Sequence, residues 1–466
     1  MRKTKIICTL GPSTDSEETL KALVLAGANV FRLNMSHAPH DWVKSIVPKI
    51  RKISDELGIV VGILMDTQGP AIRTGDLATK LDLKPGDIFE FTVRGEKSEE
   101  DYSVDVNYDG LVDDINVGDT VLVDNGMIHL EVLSKSLHRL RCRVLTAGVM
   151  GSRRHINLPG VKVNLPPLTE KDLADVALGA ALGVDMVALS FCREPGDIEV
   201  LRGVLRAHGS TARIIAKIED QLAVKNISQI IEKADIVMVA RGDLGIECAM
   251  EELPIIQRRI VKLCLQVGTP VIVATHLLES MISNPIPTRA EVTDVANAVY
   301  EQADAIMLSG ETSVGRYPVE CVKVLDRVAR RLERSGGAGF AKEAIFTDDR
   351  QRTVHSATVL ANSLNRAKLV VFTRRGNIAD IVAAQRPIAP VFAFTPSEEI
   401  SRRIVLNWSV MPIVMPFDDD PNKTIDDAVA TLRAKKLIEP GDNLVIVSDL
   451  LAGDQRYDSI QVRPVH

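Results

Sequence analysis

The chain has 466 residues, 45% of them hydrophobic and 25% charged, with a formal net charge of −6. That length exceeds what one ordinary core organises, so two or three domains are expected. The mild acidity argues against a nucleic-acid binder, which carries a basic domain or stripe, and leaves small-molecule chemistry as the leading class.

The six cysteines (Cys8, Cys142, Cys192, Cys248, Cys264 and Cys321) are scattered, with no Cys-x-x-Cys pair. Such usage suits buried thiols of a reducing compartment better than a disulfide or zinc framework. The stretch MRKTKIICTLGPST lacks a long apolar core, and no run of about eighteen uncharged apolar residues follows it. A cytoplasmic protein without a membrane span is expected.

In chain order, the short apolar runs suited to parallel strands buried on both faces are TKIICTLG from Thr4, NVFRLNMS from Asn29, VGILMDTQ from Val61, VDMVALSFC from Val184, IIAKIED from Ile214, DIVMVARGD from Asp235, TPVIVATH from Thr269 and DAIMLSGET from Asp304. Helical periodicity fills most of the intervals. LTEKDLADVALGAALG opens on Thr169 and Asp172, a pair resembling a capping box, and TRAEVTDVANAVYEQ combines Thr288 and Glu291 with an apolar stripe of Val292, Val295, Ala296 and Val299. Eight such strands alternating with helices predict an α/β fold, a closed (β/α)8 TIM barrel, with a doubly wound open sheet as the alternative.

The third and fourth runs stand too far apart for one βα repeat. Residues 70–164 fill the gap with DIFEFTV, DTVLVDNGMIHLEVL and RLRCRVL, punctuated by Pro85-Gly86 and Gly118-Asp119, which predicts a small β-barrel lid domain inserted on a βα loop. After the eighth unit the charged helix CVKVLDRVARRLERS ends at Gly336-Gly337-Ala338-Gly339. Beyond it KLVVFT, PVFAFT, VMPIVM, NLVIVSD and SIQVRPV predict a C-terminal α/β domain with a mostly parallel sheet. The expected division is a barrel over 1–69 and 165–336, the insert over 70–164, and the last domain over 340–466.

Barrel enzymes carry their reacting groups at the C-terminal ends of the strands. Here those ends hold Arg32, Asn34 and Ser36; Asp66 and Thr67; Ser190; Lys217 and Glu219; Arg241 and Asp243; Thr275; Ser309 and Glu311. The Arg241-Gly242-Asp243 tripeptide is therefore read as a strand end in a site, not as an adhesion loop. Lys217 and Glu219, two apart on a strand, point to one face, and Glu219 with Asp243 offers two carboxylates with open remaining positions, which suits Mg²⁺. The alternative is that both are solvated loop carboxylates or partners of Lys217 and Arg241. Arg32, Arg73, Lys217 and, as a further candidate, Arg241 would surround that metal with positive charge, a setting for a phosphate-bearing substrate. No Walker or Gly-x-Gly-x-x-Gly fingerprint is present. Asn34, Ser36, Asp66 and Thr67 form either a site for a second, weakly charged cation or an ordinary hydrogen-bonded cluster. His37 and His276 read first as hydrogen-bonding or packing residues.

Taken in order, KIICTLGPST, RLNMSHAPH, MDTQGPAIRTG, LPGVKVNLPPLTEKD, AKIED, VARGDLGIE, ATHLLESMISNPIPTRAEVTDVANAV and IMLSGETSVGRYPVE give a chain that resembles the pyruvate kinase family from end to end. The resemblance implies phosphoryl transfer from phosphoenolpyruvate to ADP. It implies Mg²⁺ on Glu219 and Asp243, charge stabilisation by Lys217 and Arg32, and substrate contacts from Ser190. Arg73, His37, Asn34 and a second Mg²⁺ fall on the nucleotide side, and K⁺ falls on Asn34, Ser36, Asp66 and Thr67. Backbone N–H groups near Gly242 and Asp243, with the Thr275 hydroxyl, would receive the substrate carboxylate; Gly242 leaves room for that approach, and Thr275, through water, is the candidate proton route to the enolate.

Several positions depart from the family pattern. Gln68 and Ala71 stand where Lys and Glu are common, and loss of the acidic residue loosens the expectation of strict K⁺ dependence. His276 and Val314 replace a common Gln and Lys. In the C-terminal domain TRRGNIAD, with Thr373, Arg374, Arg375 and Gly376, is the candidate effector loop, and a sugar phosphate or nucleotide monophosphate is the expected class. The resemblance also implies a homotetramer. Two other readings stay open at this point: a Mg²⁺-dependent pyruvate-enolate lyase and a regulatory homologue without catalysis.

Overall fold

The computed structural model describes residues 1–98, 100–452 and 455–466, of which 449–452 and 455–457 are described by their backbone alone. Eight parallel strands close into a barrel: β1 (Lys5–Thr9), β2 (Val30–Asn34), β3 (Gly62–Asp66), β4 (Met186–Leu189), β5 (Arg213–Ile218), β6 (Ile236–Ala240), β7 (Val271–Ala274) and β8 (Ala305–Leu308). The open-sheet alternative falls, because β1 pairs with β2 on one side and with β8 on the other, Lys5 opposite Ala305. The unbroken apolar runs follow from this closure. Along β1, Ile7 points into the barrel interior with Val30, Leu64, Met238 and Ile272, while Ile6 and Cys8 face the surrounding helices, so both faces of the strand are buried.

The helices use the caps written in the sequence. Helix α1 (Glu170–Leu182) begins at Thr169, whose hydroxyl accepts from the Asp172 N–H in a two-way capping box. Asp172, fully buried, also accepts from the N–H groups of Gln68 (3.0 Å) and Gly69 (3.1 Å). One carboxylate thus ties the start of α1 to the loop leaving β3, where the chain departs for the insert. Such caps contribute about 1 kcal/mol each.

The insert builds a six-stranded sheet and a two-stranded ribbon around its own apolar cluster, which includes Phe89, Phe91, Leu130 and Leu140. Short strands at 81–83, 103–105, 148–150 and 156–157 supplement the three segments expected from the sequence. The C-terminal sheet has five strands, four parallel and the last antiparallel. It docks on the N-terminal end of the barrel, where Val405 and Leu406 join the barrel's interior cluster. Arg386, stacked on Trp408, pairs there with Asp304. Among the described residues no helix is long and apolar enough to cross a membrane.

Candidate active site

The strand ends converge on one buried ionic cluster. Lys217, near the end of β5, places its Nζ 2.8 Å from Glu219 Oε1, 3.2 Å from Asp66 Oδ1 and 2.8 Å from Ser190 Oγ. The Ser190 hydroxyl donates to the Thr67 carbonyl at 2.7 Å. Arg32, on β2, donates from Nε to Asp66 Oδ2 at 2.6 Å and from Nη1 to Thr9 Oγ1 at 3.0 Å. Asp66 therefore lies between two cations, one on each carboxylate oxygen. Burial works against its charge, but Lys217 and Arg32 outweigh burial and hold its pKa below the ordinary range. Lys217 shows the mirror case: burial disfavours the ammonium, yet Asp66 and Glu219 raise its pKa.

Glu219 is different. Burial raises its pKa to about 7; Lys217 opposes the shift and Asp243 adds to it. Its Oε2 accepts the Phe191 N–H at 2.6 Å. A buried carboxylate facing a second carboxylate is an arrangement that a divalent cation would relieve. Among the described residues no third His, Cys, Asp or Glu joins the pair, which leaves positions for water and substrate oxygens, as Mg²⁺ prefers. The donor set fits that metal.

The candidate monovalent site is assembled from oxygen atoms already hydrogen-bonded to the chain. Asn34 Oδ1 accepts the Ser36 N–H at 3.2 Å, and Thr67 Oγ1 donates to the Ala188 carbonyl at 2.9 Å. Asp66 is the one carboxylate among Asn34, Ser36, Asp66 and Thr67, so the donor types suit a weakly charged cation. Ser36 and His37 are exposed on the loop after β2.

The strand-end tripeptide separates into three roles. Helix α2 (Arg241–Glu247) starts immediately after β6. Arg241 turns away from the carboxylate pair, contrary to its expected place among the cations around the metal. Its guanidinium makes two 2.7 Å bonds to Asp294 on helix α3 (Arg289–Tyr300) and donates to the carbonyls of Thr275 (2.6 Å) and Ala274 (3.3 Å). Thr275 and His276 both have positive φ, 69° and 54°, which is strained for a β-branched residue. Arg241 fastens that strained corner. The Gly242 N–H donates to Thr275 Oγ1 at 2.7 Å, and the same hydroxyl donates to the Ala274 carbonyl at 2.6 Å. The atoms expected to receive a substrate carboxylate are thus bonded to each other. A Cβ built on Gly242 would meet Thr275 Oγ1 at 3.5 Å, so the protein itself tolerates a methyl there and only an arriving ligand would be obstructed.

Other strand-end groups serve the scaffold: Glu311 accepts from the N–H groups of Leu278 (3.1 Å) and Ser309 (2.7 Å). Arg73 lies at the foot of the insert, exposed, paired through its backbone with His155. The sequence reading missed His155. It is mostly buried, its ring lies 6.0 Å from that of Phe191, and burial lowers its pKa, countered by nearby Asp243. Also missed is the bond from Asn157 Nδ2 in the insert to Glu247 Oε1 on α2, 2.9 Å, where burial raises the Glu247 pKa to about 7. Neither residue sits at a strand end, so the pattern that found the others could not reach them. The candidate effector loop opens on a cavity of ≈ 410 Å³, where Arg374 stacks on Phe417 and Thr373 Oγ1 accepts the Gly376 N–H at 2.8 Å.

A family model described as pyruvate kinase, barrel domain, matches residues 1–322, and one described as pyruvate kinase, alpha/beta domain, matches residues 351–462. Plastidial pyruvate kinase 2 of Arabidopsis thaliana is 40% identical over 473 residues, covering 100% of this chain and 81% of the relative. A pyruvate kinase of Geobacillus stearothermophilus is 40% identical over 468 residues, covering 97% of this chain and 78% of the relative. The crystal structure of a pyruvate kinase from Cryptosporidium parvum superposes with a TM-score of 0.94 at 32% identity, covering 99% of this chain and 96% of that one.

Proposed function

Because the chain belongs to the pyruvate kinase family, and so transfers the phosphoryl group of phosphoenolpyruvate to ADP to give pyruvate and ATP, we propose how its own residues divide that work. The observation that carries the assignment is the Lys217–Glu219–Asp66–Arg32 cluster at the barrel mouth, with Asp243 beside it.

A Mg²⁺ ion held by Glu219 and Asp243 would supply positive charge to the oxygens of phosphoenolpyruvate and of the phosphoryl in transit. Lys217 and Arg32, already fixed by Asp66, face the same space. Because their partners hold them before substrate arrives, they stabilise the charge that develops on the transferring group without reorganising. Ser190 orients the Lys217 ammonium. The substrate carboxylate takes the Gly242 and Asp243 N–H groups in exchange for Thr275 Oγ1, and the freed Thr275 hydroxyl, through water, is the route of the proton to the methylene carbon of the enolate. Arg73, His37 and Asn34 are assigned to ADP, with a second Mg²⁺. Asn34, Ser36, Asp66 and Thr67 are assigned to K⁺.

We further propose a division into barrel (1–69 and 165–336), closing insert (70–164) and regulatory domain (340–466), a homotetrameric assembly, and a sugar phosphate or nucleotide effector at Thr373–Gly376. The six free cysteines suit a reducing cytoplasmic location. The test is pyruvate formation from phosphoenolpyruvate with Mg²⁺ and K⁺, with and without ADP. Strictly ADP-dependent pyruvate is expected, and ADP-independent release would favour a lyase. Sedimentation equilibrium reads the assembly.

A further inference from the structure

The underside of the effector loop opens on a second cleft, between the C-terminal domain and the N-terminal end of the barrel. Its volume is ≈ 280 Å³, and its charged lining comprises Arg213, Arg375 and Arg403 with Asp235 and Asp380. It is distinct from the 410 Å³ cavity above the loop, with which it shares only Arg375 and Asn377.

The two carboxylates are already committed. Asp235 Oδ2 accepts the Ile214 N–H at 2.8 Å and Arg202 Nη1 at 3.3 Å. Asp380 Oδ1 accepts from Arg213 Nη1 at 3.2 Å and Asn407 Nδ2 at 2.7 Å. Arg213, itself buried, also donates from Nη2 to the Asp235 carbonyl at 3.0 Å. That leaves two guanidinium groups over. Among the described residues neither Arg375 nor Arg403 has a side-chain hydrogen bond or an ion pair, and the Arg403 Nε is buried with no partner at all. Burial and the neighbouring Arg213 lower the pKa of Arg403, against the pull of Glu399, Asp235 and Asp380, none of which is within ion-pair distance of it. At the rim, helix α4 (Asn377–Ala384) begins at Gly376 with no side-chain cap.

A half-buried guanidinium without an acceptor, pressed by a second cation, is an arrangement that proteins rarely leave unsatisfied. The guanidinium fork matches phosphate oxygens in pairs, and the cleft is large enough for more than a bare ion. We propose that this cleft is a phosphate-binding site, which takes the phosphate monoester of a small metabolite between Arg403 and Arg375 with Arg213 behind them. The site lies at the far end from the chemistry, yet on the same strands. Arg213 is the first residue of β5, whose other end carries Lys217 and Glu219, and Asp235 directly precedes β6, which runs to Arg241.

The test is equilibrium dialysis of the full chain against labelled inorganic phosphate, with EDTA in place of Mg²⁺ and no substrate or nucleotide, so that the uncompensated Glu219 and Asp243 carboxylates disfavour phosphate at the active site. An Arg374→Met background weakens the cavity above the loop. One saturable phosphate site per chain is expected in that background. Adding either Arg403→Met or Arg375→Met is expected to weaken it at least about tenfold, the factor that loss of one charge-assisted hydrogen bond brings. Arg375 is exposed, so its variant folds even if the Arg403 variant does not. Absence of a saturable site in the Arg374→Met chain, or a site with unchanged affinity in the second variants, would overturn the proposal.

Discussion

Three residues carry most of the proposed chemistry, and each can be tested alone. Lys217→Met removes the charge proposed to stabilise the transferring group, so kcat should fall by about a thousandfold or more. It also leaves Asp66 and Glu219 without their shared cation, so Tm should fall as well; an unchanged kcat would remove Lys217 from the mechanism. Gly242→Ala should behave in the opposite way. The added methyl has no neighbour closer than 3.5 Å, so the melting curve should match the wild type while KM for phosphoenolpyruvate rises at least about tenfold; a normal KM would place the substrate carboxylate elsewhere. Glu219 gives a pH prediction. Its folded pKa, about 7, lies above the model-peptide value of 4.5, so the folded metal-free protein binds this proton more tightly than the unfolded chain does. The penalty for ionising it is absent below about pH 4.5, grows through pH 7 and is complete above it. Mg²⁺ selects the ionised form, so its stabilisation of Tm should be larger at pH 8 than at pH 5.5. Equal stabilisation at both pH values would move the metal away from Glu219.

The strand ends show what a sequence can and cannot say. The eight barrel strands were legible because burial on both faces demands unbroken apolar runs, and the Lys217–Glu219 face was legible because the strand period is two. The direction of Arg241 was not. The chain turns directly from β6 into α2, and that turn sends Arg241 outward to Asp294 while Asp243 stays near Glu219, a division that three adjacent letters do not encode. The insert's shortest strands, two or three residues long, carry no period to detect. The candidate site was legible where it sat on strand ends and opaque at His155 and Glu247, which depend on how the insert meets the barrel. Arg241 also supplies a test at this scale. Asp294→Ala leaves its buried guanidinium without a counter-ion but still bonded to the Thr275 and Ala274 carbonyls, which should cost about 1.5–3 kcal/mol in unfolding free energy. Loosening the Thr275 corner should lower kcat as well, and intact kcat with lowered stability would confine the pair to a structural role.

At the scale of the molecule, the barrel and the C-terminal domain are joined through buried charge. Asp304, fully buried, accepts from Arg386, the Trp408 N–H and the Val271 N–H. Asp304→Ala should strand Arg386 and uncouple the two domains, so that a single calorimetric transition splits in two; one sharp transition at the wild-type temperature would show that other contacts suffice. The seam that closes the barrel has a consequence of another kind. Lys5 pairs with Ala305, and a ribosome adding about 5–20 residues per second takes roughly 15–60 s to travel between them. Throughout that interval the first strand is made but has an unsatisfied edge, and a nascent chain halted anywhere before Ala305 keeps that edge open to any other strand it meets. Biosynthesis of this fold therefore has a built-in period of vulnerability, whose length is set by translation speed rather than by the folding rate of any one unit.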